Sequence, residues 1–193
     1  AELNPVNTVT VSGTVTGAAA AGVEEISFTN LDNEKAEPVT VKIDADGKYS
    51  AELRRVAGNT NYAASVSKVG YKIDNKDKAD RFTLTGNDAT ATQNFSIAEA
   101  PVATISGTIS GIESVKGDLA VSFKDPEAIG AVEAELAKKG DGTYTYTAAV
   151  EAKIAYDVIF TNADDYEAEG FTAEAGESVI DITAKLKKQV EVS

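Results

Sequence analysis

Short stretches of alternating apolar and polar residues, divided by turn residues, run through most of this chain. Thr8–Val15 alternates and is rich in β-branched side chains, which suit a pleated, half-buried surface. Val9, Val11 and Val15 share one face of that strand, and Gly13 interrupts it where another strand comes close. Val23–Asn30 predicts a second strand with Ile26 and Phe28 inward, and Val39–Ile43 a third. Asp44-Ala45-Asp46-Gly47 reads as a hairpin turn, since glycine reaches positive φ without penalty, and Tyr49, Ala51 and Leu53 continue on the partner strand. Ala57-Gly58-Asn59 turns the chain into a strand at Tyr62–Ser67. Asp74–Asp80 reads as a charged loop, with Phe82–Leu84 and Ala91–Ile97 after it. Ala1–Asn7 reads as a loose lead-in.

The pattern then starts again. Val11-Ser12-Gly13-Thr14-Val15 returns as Ile105-Ser106-Gly107-Thr108-Ile109. Gly107 follows Gly13 by 94 residues, Gly142 follows Gly47 by 95, and Tyr156 follows Tyr62 by 94. So steady an offset predicts two copies of one domain, residues 1–98 (core 8–97) and 99–193 (core 102–187). Ala98-Glu99-Ala100-Pro101 would be a short, semi-rigid linker between them. Strands are expected at Val102–Ser110, Asp118–Phe123, Val132–Lys138, Thr143–Ala149, Ile154–Thr161, Gly170–Glu174 and Ser178–Leu186. Pro126–Lys139 has the Ala, Glu and Lys content of a helix, with Ile129, Val132 and Leu136 at helical spacing. Its place in the repeat matches the strand after Pro38, and Val132–Leu136 also alternates, so a strand is expected. The fold class is all-β: two tandem Greek-key β-sandwiches of about seven strands each.

Composition narrows the chemistry. The chain has no Cys, Met, Trp or His. That leaves no thiol or imidazole for nucleophilic, acid–base or transition-metal work, and no disulfide framework. No catalytic constellation is visible, and with this many Asp and Glu a carboxylate pair carries no information. The net charge of −13 argues against nucleic acid and against an anionic membrane surface. No apolar run reaches the ~20 residues of a membrane span. With no signal peptide and no initial Met, the chain reads as a mature or excised portion of a longer protein. The charge is uneven: residues 1–98 hold 10 basic and 13 acidic side chains, residues 99–193 hold 8 and 18.

The order of motifs resembles the carboxypeptidase regulatory-like, or prealbumin-like, Ig-like repeats of bacterial surface proteins. Those repeats open on an apolar-x-Gly-x-apolar strand, here Val11–Val15. They continue with an Asp-x-x-Gly-x-Tyr turn, here Asp44–Tyr49, then a Tyr strand, Gly-Tyr, and an Asn-Phe step, here Tyr62, Gly70-Tyr71 and Asn94-Phe95. In the second copy Gly-Tyr becomes Asp165-Tyr166. The resemblance implies the sandwich fold and leaves function open among spacers, adhesins and carbohydrate-binding accessories. Collagen-adhesin B-type repeats are similar too. They carry a Lys–Asn isopeptide bond, which is not expected here because the opening strands contain no Lys. The acidic, Ala/Thr/Val-rich composition also resembles surface-layer proteins.

The expected function is therefore a non-enzymatic structural or spacer region of an extracellular, cell-surface or surface-layer protein, with neighbouring domains of the parent as partners. The alternatives are a carbohydrate-binding accessory module of a secreted polysaccharide-degrading enzyme, binding glycan, or an adhesin module gripping a protein through a strand edge. Two candidate sites follow. Asp164, Asp165, Glu167 and Glu169 form the densest acidic cluster and are where Ca2+ would be sought, a solvated face being the simpler reading; Asp44–Gly47 lacks the remaining ligands of a calcium loop. Asp74, Asp77 and Asp80 alternate with Lys72, Lys76 and Lys78 and are expected to pair or stay hydrated. The seven tyrosines could stack on sugars, but Tyr49 with Tyr144 and Tyr62 with Tyr156 recur at the repeat offset, which points to structural roles. Tyr146, matched by Ala51, is the exception.

Overall fold

The computed structural model describes residues 7–188 apart from Glu34, Ala57 and Asn87. The expected lead-in at residues 1–6 and the first residue of the Ala57-Gly58-Asn59 turn therefore lie outside the described residues. The chain is all-β and divides into two compact units, residues 1–100 and 101–193. Ala98 and Glu99, expected in the linker, complete the last strand of the first unit, where they pair with Lys72 and Tyr71.

In the first unit the strands are β1 (Asn7–Thr16), β2 (Glu25–Asn30), β3 (Val39–Lys42), β4 (Lys48–Arg55), β5 (Thr60–Ser65), β6 (Tyr71–Ile73), β7 (Arg81–Leu84), β8 (Thr90–Thr92) and β9 (Phe95–Glu99). One sheet runs β4-β1-β9-β6, with β8 also on β1; the other runs β3-β2-β5-β7. Strict alternation along β4 sends Tyr49, Ala51 and Leu53 inward and Lys48, Ser50, Glu52 and Arg54 outward. Their inner faces merge into a single core in which the Phe28 ring meets Tyr49, Phe82 and Phe95 with centroids 5.4, 5.9 and 6.2 Å away. One turn of helix, α1 (Ala18–Ala21), follows β1, four alanines closed at each end by a left-handed glycine, Gly17 and Gly22.

The second unit repeats the plan with β10 (Val102–Ser110), β11 (Ala120–Lys124), β12 (Val132–Glu133), β13 (Glu135–Lys138), β14 (Tyr144–Glu151), β15 (Ala155–Thr161), β16 (Tyr166–Glu167), β17 (Phe171–Thr172), β18 (Gly176–Val179), β19 (Ile182–Thr183) and β20 (Lys185–Leu186). Its sheets are β13-β14-β10-β18, with β19 also on β10, and β12-β11-β15-β17, and β16 pairs β20. The segment with helical composition is a strand that changes sheets: Val132 and Glu133 pair with β11, Glu135–Lys138 with β14. Long-range pairing overrides local propensity there. Among the described residues no helix is long and apolar enough to cross a membrane.

Candidate functional site: the strand latch, the unit 1 cleft and the acidic cluster

Each unit is closed at one point by the same set of groups. In the first unit β1 lies parallel to β8 and then to β9, but the ladder is broken opposite Gly13 and Thr14. There the strands pass so close that a Cβ on Gly13 would stand 1.7 Å from the Gln93 carbonyl oxygen. That carbonyl accepts the Tyr49 hydroxyl at 2.9 Å, and Asn94 Oδ1 accepts the Thr14 N–H at 2.9 Å and its hydroxyl at 3.2 Å. In the second unit the Cβ would stand 2.1 Å from the Ile180 carbonyl, which accepts the Tyr146 hydroxyl at 2.7 Å. Asp181 Oδ1 accepts both the N–H and the hydroxyl of Thr108 at 2.8 Å. Side chains thus replace the ladder bonds that the break removes.

This geometry corrects the pairing of tyrosines. Gly13 faces Tyr49, and Gly107 faces Tyr146. The counterpart of Tyr49 in the sheet is therefore Tyr146, not Tyr144, which faces Ile109. The hairpin of the second unit has slid by two residues against the opening strand. A slip of two keeps every side chain on its face, so the sequence pattern does not betray it. Asp181 escaped notice because it replaces Asn94 and lies 73 residues from its threonine instead of 80. The usable signal was an Asx before an apolar residue near the end of each copy, Asn94-Phe95 and Asp181-Ile182.

The Thr108 N–H, and then its hydroxyl, hold the Asp181 carboxyl below the ordinary carboxylate range. A depressed folded pKa contributes stability above the unfolded pKa that is lost as pH falls through the folded one. Acid should therefore weaken the second unit through a latch whose counterpart, Asn94, does not titrate. Asp181→Asn is expected to flatten the acid limb of the second unit's melting temperature below pH 4, a value on the order of a free carboxyl's pKa; an unchanged limb would remove Asp181 from that role.

The remaining tyrosines are also built in. Tyr62 and Tyr156 each reach back to the end of the preceding strand, Tyr62 donating to the Arg54 carbonyl at 2.7 Å and Tyr156 accepting the Glu151 N–H at 2.9 Å. Each also stacks on a phenylalanine of the neighbouring strand, Phe82 and Phe171. Six tyrosines are buried, and Tyr71 is half-buried against the first core. Burial raises the hydroxyl pKa of Tyr49 and Tyr62, and, with the nearby Asp181 charge, that of Tyr146 to about 12. Six of the seven rings are thus taken up by the cores, with Tyr62 also reaching the wall of the first unit's cleft.

The first unit has a cleft of about 590 Å3 beside β2 and β5. Part of its polar wall is occupied internally. Asn61 donates to both oxygens of Asp32 and accepts the Thr83 hydroxyl, and its side chain, then its N–H, lower the Asp32 pKa. Asn33, Glu37, Arg54 and Asn59 also line it from exposed positions. By strand register Arg54 becomes Glu151 in the second unit, so its guanidinium is not repeated.

The acidic cluster is spread and interleaved with lysines. Asp165 stands 3.8 Å from Lys116, Glu169 stands 3.7 Å from Lys185, and Glu167 lies opposite Lys185 on the neighbouring strand. The Asp164 carbonyl accepts the Lys187 ammonium at 2.7 Å. Among the described residues no three carboxylates gather as a metal site. Asp44 is occupied as a turn cap, accepting the N–H groups of Asp46 and Lys48. Asp80, expected to be hydrated or paired with lysine, is buried beside Arg81, Oδ1 to Nε 3.5 Å. Millimolar Ca2+ is accordingly expected to raise the melting temperature of the second unit no more than NaCl at matched ionic strength. A calcium-specific rise, lost in Asp165→Asn, would assign a site there.

No family model and no curated protein matches the chain. Among solved structures it is similar to a leucine-rich repeat protein from Bacteroides thetaiotaomicron, at 12% identity and a TM-score of 0.41 over 92% of this chain and 26% of that one. The chain thus spans about a quarter of that protein. It is also similar to the shaft pilin SpaA from Lactobacillus rhamnosus GG, at 12% identity and a TM-score of 0.29, covering 96% and 100% of the two chains. A DUF1812 protein of Bacteroides thetaiotaomicron gives 9% identity and a TM-score of 0.34, covering 79% and 75%.

Proposed function

We propose that this chain is a non-enzymatic structural spacer, two sandwich modules within a bacterial surface protein. One observation carries the reading: what the two units repeat is architecture. The close-approach glycine, the threonine–Asx pair and the tyrosine hydroxyl recur at equivalent places, and each is spent on closing its own sandwich. A duplicated binding module would be expected to repeat its binding groups, whereas Arg54 of the cleft is replaced by an acid. The surface setting is supported by the motif order of the sequence.

Glycan recognition, the competing reading, would use the first unit's cleft, since six of the seven tyrosine rings are buried and Tyr62 is at the cleft's wall. Affinity electrophoresis through polysaccharide-containing gels, with a glycan array, separates the two. The spacer reading expects unretarded migration and an empty array. Retardation abolished by Arg54→Ala with Asn59→Ala would overturn it.

A further inference from the structure

We infer that each unit is a tension-bearing module whose resistance is set by the parallel pairing of its first and last strands; this deepens the spacer reading by giving the spacer a mechanical task. The chain enters the first unit at the start of β1 and leaves it at the end of β9. β1 runs in the same direction as β8 and β9, which follow it in one constant register from Thr10 opposite Thr90 in β8 to Thr16 opposite Ser96 in β9. Tension on the two ends therefore draws β1 toward its beginning and β9 toward its end. The strands are sheared past one another, and the bonds between them share the load instead of breaking in turn. In the second unit β10 is paired in the same way with β18 and β19, from Ala103 opposite Gly176 to Ser110 opposite Thr183, and the chain then leaves through β20 on β16.

The latch sits in the middle of this pair, between residues that the register places opposite one another. Thr14 is held by Asn94, and the Gln93 carbonyl by Tyr49 from the neighbouring β4. Backbone bonds flank it, Thr10 N–H to the Ala89 carbonyl and Gln93 N–H to the Ser12 carbonyl. Gly13 adds a steric stop. Only a residue without Cβ fits against the Gln93 carbonyl, so sliding by one residue brings Ser12 or Thr14 into a space that has no room for them. On its other side β1 is paired with β4 from Asn7 opposite Arg55 to Thr14 opposite Lys48, which keeps it from rotating away under load.

Single-molecule force spectroscopy on the full chain, tethered at its two ends, tests this. Two unfolding events at high force are expected. The comparison is the same chain with Thr8→Cys and Asp88→Cys as attachment points; the sequence has no other thiol. By the register of the pair those residues lie at the same end of β1 and β8, so pulling them apart peels the strands one bond at a time. The first unit should then open at a several-fold lower force. Tyr49→Phe, which keeps the ring and removes one fastener, should lower the force of only one of the two events in the end-tethered chain. Equal forces in the two geometries, or end-tethered unfolding at the peeling force, would overturn the inference and leave the spacer reading to the glycan experiment.

Discussion

Gly13→Ala should unfold the first unit at a temperature far below the second, although it adds only one methyl group. The added carbon would lie 1.7 Å from the Gln93 carbonyl oxygen, a backbone atom that cannot swing aside. Relief requires the first and last strands to separate, which breaks the Tyr49 and Asn94 bonds together. Overpacking and loss of these hydrogen bonds then add, at about 3 kcal/mol or more. For a domain of this size that is on the order of 15 °C in melting temperature. Gly140→Ala is the control, because nothing lies within 4 Å of a Cβ there. Calorimetry of the full chain should show one transition displaced by Gly13→Ala and neither moved by Gly140→Ala; matching scans would mean that the close approach is not a constraint.

Phe28→Ala should have the next largest effect. Phe28 is fully buried, and its ring is the meeting point of Tyr49 from one sheet and Phe82 from the other, with Phe95 of the last strand beside it. Truncating such a ring costs about 3–5 kcal/mol, most of the margin of a small domain. Hydrogen exchange read by mass spectrometry should show protection lost between residues 7 and 99 and kept between 102 and 186. Protection retained in both would mean that the ring cluster is not the first unit's keystone. Phe123 holds the equivalent place against Tyr146 and Phe171.

The strands were legible because alternation on a half-buried sheet is written directly into the residues: Tyr49, Ala51 and Leu53 inward, Lys48, Ser50, Glu52 and Arg54 outward. The strand nature of Val132–Lys138 was legible through the repeat and the alternation of Val132–Leu136, against a composition that favours a helix. Gly13 stood out as a gap in an apolar face. What closes on that gap did not, because Gln93 contributes a carbonyl, which every residue carries, and Asn94 is replaced by aspartate in the second copy. The two-residue slip of the hairpin was invisible for a different reason: it preserves the in–out pattern that sequence reading depends on. The acidic cluster looked dense along the chain. Its partners Lys116 and Lys185 come from distant positions, which linear spacing cannot show.

The parallel pairing of first and last strands also dictates when each unit can form during synthesis. β1 occupies the middle of its sheet, between β4 and the β8–β9 segment. Until β8 and β9 have left the ribosome, one flank of β1 has no partner and Phe28 and Tyr49 lack the ring of Phe95. Contacts so distant in sequence are slow to form, and their loop-closure entropy falls due before they stabilise anything. A nascent unit is therefore held open through nearly its whole length and committed by its last few residues. Duplication keeps that wait short, because each unit closes on strands of its own and the first does not have to wait for the second.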